Sequence, residues 1–329
     1  MTVVVHVPVR ACDVGGWTDT WFAGHGRVCS LAVGPAVSVQ ASSAPGDGAV
    51  TVDAADYGVT FTVGSEPPEH RLLAEAIREA GPVGRLDVRL RVASAVPPST
   101  SLGTSAAVCV GIIAALDALR GAVRPPGALG AAAHRAEAGR FGRQSGVQDQ
   151  LAAAHGGANV VDIVRYPDVE VRPVAVPPPF WATLDRRLTH IAYGSAHDSS
   201  AVHEEVIAVL AGKGPSSPRL ERLRRLAGEA ERALVAADLD RYGRVLTAAT
   251  DGQAALHPAL ISDAAHELID LARSCGAAGW KVNGAGGGGG SISILCRRPS
   301  DRDGLVEEAA RLGHEPLALA LAHRGAHVG

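Results

Sequence analysis

The order of segments along the chain predicts an α+β fold in two lobes, with mixed and antiparallel sheets. Three observations carry this. Strand-like runs crowd the first third, helical patterns take over from Thr104, and the two kinds do not alternate regularly enough for a doubly wound parallel sheet. At 329 residues the chain also exceeds what one small core occupies, so two packed lobes are expected.

In the first third, 3-VVVHVPV-9, 28-VCSLAVGPAVSVQ-40, 58-GVTFTV-63 and 86-LDVRLRVAS-94 alternate or are rich in β-branched residues, as half-buried strands are. A helical pattern, 69-EHRLLAEAIREAG-81, interrupts them. Helices are predicted over 104–120, over 126–140 after the Pro125-Pro126 start, and over 146–154. A strand pair, 158-ANVVDIV-164 and 169-VEVRPVAV-176, closes an N-terminal lobe of residues 1–176. The proline-rich 177-PPPF-180 reads as a linker, with the C-terminal lobe at 177–329. That lobe starts with a strand at 188-LTHIAYG-194 and continues with three amphipathic helical stretches between Ser199 and Cys275. It ends with strands around 278–283, 291–296 and 316–321.

Composition narrows the function classes. A hydrophobic content of 47% with 20% charged residues is an ordinary globular balance. A net charge of −3 and a pI near 6.5 give no bulk attraction to nucleic acid or anionic lipid. The five cysteines (Cys12, Cys29, Cys109, Cys275, Cys296) are scattered and lack a CxxC pair, which fits reduced thiols better than disulfides or zinc. The longest uncharged apolar run, Ala106 to Leu116, falls short of the ~20 residues a membrane span needs. MTVVVHVPVR has no basic leader and reads as a first strand. A soluble, cytoplasmic protein is expected.

Chemistry concentrates in 96-VPPSTSLGTSAAV-108, where prolines, hydroxyls and one glycine precede a long apolar helix. A helix leaves its first N–H groups unpaired and carries partial positive charge there. Ser, Thr and Gly ahead of it therefore describe a cradle for phosphate oxygens, although a capped core helix after a tight turn has the same composition. No Lys follows the glycine, so this is not a Walker loop. Two further loops are glycine-rich: 8-PVRACDVGGWTDT-20 after the first strand, and 276-GAAGWKVNGAGGGGGSISIL-295 between two strands. The second satisfies G-x-G-x-x-G, but a strand follows it where a dinucleotide site needs a helix.

With 145-SGVQDQLAAAHGGAN-159, these four segments resemble, in order and from Pro8 to about Leu295, the GHMP kinase family, which phosphorylates galactose, homoserine, mevalonate and related small alcohols. The resemblance implies ATP and Mg²⁺ as cofactors, a two-lobed fold with the active site in the cleft between lobes, and a small-molecule acceptor. The middle segment is similar to the family's P-x-x-x-G-L-G-S-S-A-A, with Ser101 and Thr104 departing at the first glycine and first serine. Ser101 tolerates fewer backbone angles than glycine, so a slightly different loop path is expected.

By the same resemblance, Pro98, Ser99, Thr100, Ser101, Leu102, Gly103, Thr104, Ser105 and Ala106 form the nucleotide loop. Ser105 and Glu137 are the implied magnesium ligands. Read without the family, Glu137 is a solvated charge beside Arg135 and Arg140. Asp149 is implied as the carboxylate that faces the acceptor hydroxyl, where its position alone suggests a first-turn dipole partner. Arg10 is implied to pair with that carboxylate or with a sugar oxygen. Gly16, Trp17, Thr18 and Asp19 make the acceptor loop, in which Asp19 accepts from vicinal hydroxyls or simply satisfies its own turn. Trp17 stacks on a sugar or fills core. Gly286 and Gly287 are expected to bring backbone amides near the transferring phosphate.

GGWTDT, GVQDQ and 253-QAALHP-258 look most like the branch acting on sugar anomeric hydroxyls, with fucokinase-like and heptose 7-phosphate kinase-like enzymes. The implied reaction is phosphorylation of a sugar or sugar phosphate at that hydroxyl. His197 stands where a related segment usually has arginine, which puts a role for that position in doubt. A distal phosphate on the acceptor would need cations, for which Arg140, Arg143, Arg186 or Arg187 are candidates. A free-sugar kinase, a silent sugar sensor on the same scaffold and a kinase for a non-sugar alcohol are the alternatives.

Overall fold

A computed structural model describes the chain apart from residues 55–57, 64–69, 143, 195–199 and 212–214, and apart from the side chains of 200–203 and 211. Two antiparallel-rich sheets organise it. The larger, of nine strands among the described residues, runs β13(His327–Val328)-β1(Thr2–Val14)-β2(Gly26–Pro45)-β5(Leu86–Ser94)-β3(Val50–Ala54)-β4(Val59–Thr62). The long β2 also pairs with β12(Ala320–Leu321) and with β6(Ala158–Arg165), which pairs with β7(Asp168–Pro173). Among the described strands only β3 and β5 pair in parallel. The smaller sheet is β11(Glu315–Leu317)-β8(Leu188–Tyr193)-β10(Gly290–Leu295)-β9(Gly279–Val282), antiparallel throughout. This is the predicted class: α+β, two lobes, mixed sheets.

Helix α2(Thr104–Leu119) is apolar round most of its circumference because it is covered on several sides. It lies on β1 and β2 and is flanked by α1(Arg71–Ala80), α3(Pro126–His134) and α4(Gln148–His155). At Gly111 the approach to the sheet is so close that a Cβ would lie 2.7 Å from a Val39 methyl. The C-terminal lobe carries α7(Pro218–Val235) and α8(Leu239–Ala254), which pack on β1; α8 also covers β9 and so joins the two sheets. A second core of Ile191, Leu268, Val282, Ile292 and Ile294 fills the space between the small sheet, α9(Asp263–Ser274) and α10(Pro299–Arg311). Among the described residues no helix is long and apolar enough to cross a membrane.

Several elements differ from the sequence reading. The stretch 177-PPPF-180 is the first turn of helix α5(Pro178–Arg187), since proline at the first helical positions sacrifices no hydrogen bond. Among the described residues four α-helices, not three, lie between Ser199 and Cys275: α6(Ser200–Ala211), α7, α8 and α9. Strand β3 and helix α10 were not expected. The first sits among small and acidic residues that resemble a loop; the second buries only Leu305 and Ala309. Helix 126–140 forms as α3 followed by a π-helical turn over 135–140, which carries Glu137.

Candidate active site

Loop 97–103 reaches the tip of α2 through three residues in the left-handed region: Ser99 (φ 63°), Ser101 (φ 55°) and Gly103 (φ 80°). The path is imposed from both sides. Arg10 donates from its backbone N–H to Leu102 O (3.1 Å) and from its guanidinium to Ser101 O, while Ser291 Oγ donates to Thr100 O (2.7 Å). Leu102, fully buried, pegs the loop to the core. Ser101 therefore takes the glycine-like conformation that the family pattern supplies with glycine, at a steric cost of about 1 kcal/mol. Ser101→Gly is expected to leave the loop path unchanged and to raise the melting temperature slightly. A lower melting temperature would contradict this.

The first intrahelical bond of α2 runs from Ala107 N–H to Gly103 O (3.0 Å), so the amides of residues 104–106 lie ahead of the helix's own ladder. Beside this tip opens a cavity of about 430 Å³. Pro98, Ser99, Thr100, Ser101, Gly103, Thr104 and Ser105 line it. Leu102 and Ala106, also expected in the nucleotide loop, turn their side chains into the core and can offer only backbone.

Asp149, on the first turn of α4, lies against the same tip. A Cβ on Gly103 would sit 3.0 Å from Asp149 Cγ, so glycine is required here both for its φ and for the space. Arg10 Nε donates to Asp149 Oδ1 (2.9 Å). Burial would depress the Arg10 guanidinium, but Asp149, Asp13 and Asp19 more than compensate and hold it above its ordinary value.

Asp19 completes the cluster. It accepts from the Gln148 backbone N–H (3.2 Å) and from Gln148 Nε2 (3.4 Å), so it caps the beginning of α4. Burial, then the nearby Asp149 charge, pushes its carboxyl up to about 7 against the opposing backbone bonds and Arg10. The rest of the acceptor loop divides. Trp17 lines the cavity and also packs in a core cluster with Phe22, Leu210 and Leu256. Gly16 makes room for Asp13, whose Oδ2 would be 2.8 Å from a Cβ there. Thr18, expected to meet substrate, is fully buried; its hydroxyl fastens the loop to Gly15 O (2.7 Å) and Arg27 O (3.1 Å).

On the other side of the tip, Ser105 Oγ donates to Glu137 Oε1 (2.8 Å), and Gln150 Nε2 donates to Glu137 Oε2 (2.7 Å). Glu137 is 2% exposed, so the solvated-face alternative does not hold.

Residues 70–157, which contain α2, Glu137 and Asp149, match the family model of the GHMP kinases N terminal domain. Over these residues the chain is similar to the GHMP kinases. A mevalonate kinase of Methanothermobacter thermautotrophicus is 29% identical over 244 residues, covering 70% of each chain. Among solved structures, a D-glycero-D-manno-heptose 1-phosphate kinase from Bacteroides thetaiotaomicron superposes with a TM-score of 0.75 at 18% identity, over 99% of this chain and 98% of that one. Lactococcus lactis galactokinase, complexed with galactose, gives 0.71 at 17% identity, over 100% and 95%. At these identities the superpositions establish the GHMP kinase fold.

GHMP kinases use ATP, and the donor set at this helix tip suits a hard cation. Ser105 and Glu137 place a hydroxyl and a carboxylate oxygen 2.8 Å apart at the cavity wall, and one or two protein oxygens are what Mg²⁺ takes when phosphates supply the rest.

The glycine-rich segment closes the cavity differently from expectation. Gly284, Ala285 and Gly289 line it. Gly287 N–H instead donates to Leu260 O (3.1 Å), and a Cβ on Gly286 would lie 2.1 Å from that same oxygen. These two glycines let the hairpin pack on the 258–261 turn, and neither lines the cavity. Under the hairpin is a buried pair the sequence reading missed: Lys281 Nζ lies 3.6 Å from Asp13 Oδ1, and Asp13 accepts from Gly284 N–H (3.1 Å). Lys281 also donates to Gln253 Oε1 (2.8 Å), whose Nε2 reaches Gly284 O (3.1 Å). The available signals were an acid at the end of an apolar strand and one of only two lysines in the chain.

The candidate cations for a distal phosphate are not assembled here. Arg140 pairs with Glu79 (3.0 Å), and neither it nor Arg186 and Arg187 on α5 lines the cavity. Arg143 and His197 lie outside the described residues.

Proposed function

We propose that this chain is an ATP- and Mg²⁺-dependent sugar kinase that phosphorylates the anomeric hydroxyl of a neutral, polyhydroxylated acceptor. The observation that carries this is the position of Asp149, held by Arg10 against the glycine that caps α2, with Asp19 in the same cavity. In this reading the amides of residues 104–106 receive phosphate oxygens, and Asp19 accepts from the acceptor's hydroxyls. Asp149 orients the reacting hydroxyl and takes its proton, while Arg10 holds that carboxylate in place. Ser105 and Glu137 would hold Mg²⁺, which offsets the charge on the phosphates. Phosphoryl transfer is loose enough that placement and charge matter more than a strong base.

A neutral acceptor is favoured over a sugar phosphate or a carboxylate such as mevalonate. Among the described cavity-lining residues, four carboxylates (Asp13, Asp19, Glu137, Asp149) face one cation, Arg10, which is already paired. A second anionic group would enter a site with no free counter-charge among these residues. The silent-sensor alternative has no support in the geometry, since Ser105, Glu137 and Asp149 converge on one cavity.

The test is ADP release from ATP and Mg²⁺ with free aldoses, sugar phosphates, mevalonate and homoserine, with ³¹P NMR locating the new phosphate. Free aldoses should turn over and be phosphorylated at C1. Turnover confined to sugar phosphates or to the non-sugar alcohols would refute the reading. A pH dependence follows as well. Asp19 must be ionised to accept from the acceptor alongside its two Gln148 bonds, and its raised carboxyl keeps its proton until about pH 7. Acceptor kcat/KM should therefore climb from pH 5.5 and level off above roughly 7, and Asp19→Asn should remove that limb. A flat wild-type profile would contradict it.

A further inference from the structure

Gln148 precedes Asp149, lines the cavity and is 6% exposed. Its two amide atoms have different fates. Nε2 donates to Asp19 Oδ1 (3.4 Å), and in the ionised form that binds the acceptor this carboxylate only accepts, so the nitrogen is then the end that faces Asp19. That fixes Oε1 at the other end, where it is buried and has no hydrogen-bond partner among the described residues. A buried carbonyl oxygen without a donor is costly, and native structures rarely keep one without a ligand or water to meet it. Gly16 contributes the room: a Cβ there would come within 3.4 Å of Gln148 Nε2.

We infer that Gln148 is a specificity-determining residue: its Oε1 accepts a hydrogen bond from an acceptor hydroxyl adjacent to the one bonded by Asp19. The pair then reads a vicinal diol. Both stations offer acceptors only, so the matching ligand brings two donors, and a carboxylate or phosphate dianion brings none. This rests on the sugar-kinase reading above and adds to it which feature of the acceptor is selected.

The experiment uses the full chain and the free aldose that turns over best, with its monodeoxy analogues, on wild type and Gln148→Met. Wild type should discriminate against one deoxy analogue by at least about 100-fold in kcat/KM, because a site built to bond a hydroxyl rejects the analogue lacking it. Gln148→Met should raise the KM of the parent aldose by tenfold or more, leave the KM of ATP unchanged, and erase discrimination against that one analogue. Gln148→Glu is the second variant. It sets a carboxylate beside Asp19 and should move the acidic limb of the acceptor profile to higher pH. An unchanged parent KM in Gln148→Met, or an equal loss on every deoxy analogue, overturns the assignment while the sugar-kinase reading stands. Absence of free-aldose turnover in wild type overturns both.

Discussion

Asp149→Asn is expected to lower turnover by about 10³-fold or more while leaving the KM of ATP within a few-fold of wild type. The substitution is isosteric, and an amide oxygen can still accept from Arg10 Nε, so the 2.9 Å contact and the packing on Gly103 should survive. What disappears is the negative charge that, in the proposed reading, orients the reacting hydroxyl and receives its proton. In the same proposed reading the nucleotide meets the tip of α2, whose amides do not depend on this side chain. Steady-state kinetics on the best acceptor, with a thermal melt to establish folding, decides the matter. A variant that turns over like wild type would remove Asp149 from the chemistry.

The second large effect concerns stability. Lys281 and Asp13 are 3% and 0% exposed, and burial lowers the lysine's proton affinity despite the neighbouring aspartate. Lys281→Met leaves Asp13 as a buried charge whose remaining bond is to Gly284 N–H, and removing one partner of such a pair costs about 3–5 kcal/mol. The melting temperature should fall by roughly 10 °C. The double variant Asp13→Asn/Lys281→Met removes both charges yet keeps an acceptor for Gly284, and should recover most of the loss. If the single variant melts within two degrees of wild type, or the double melts lower than the single, the pair is not the stabilising unit described here.

How much of this was legible in the sequence depended on how local the cause was. The α2 tip could be read because its cause lies within a few residues: hydroxyls, one glycine, then an apolar run. Asp149 and Glu137 could be named only through the family pattern, since their partners, Arg10 and Ser105, stand 139 and 32 positions away. The Asp13–Lys281 pair joins β1 to β9 across the whole chain, and no local pattern announces it. Thr18, Gly286 and Gly287 were misassigned for a related reason. Glycine and threonine serve loop closure and substrate contact with the same chemistry, and only the acceptor opposite each amide or hydroxyl tells them apart. The prolines at 177–179 misled because a linker and a helix start share them.

The missing side chain at 103 has one more consequence. Nothing but backbone separates the tip of α2 from the Asp149 carboxylate, which in the proposed reading meet phosphate and alcohol. The span a phosphoryl group would cross is therefore gauged by covalent geometry and by the rigid seat of α2 on its sheet. Evolution of a new acceptor preference can reshape the wall formed by Trp17, Asp19 and Gln148 without recalibrating that span.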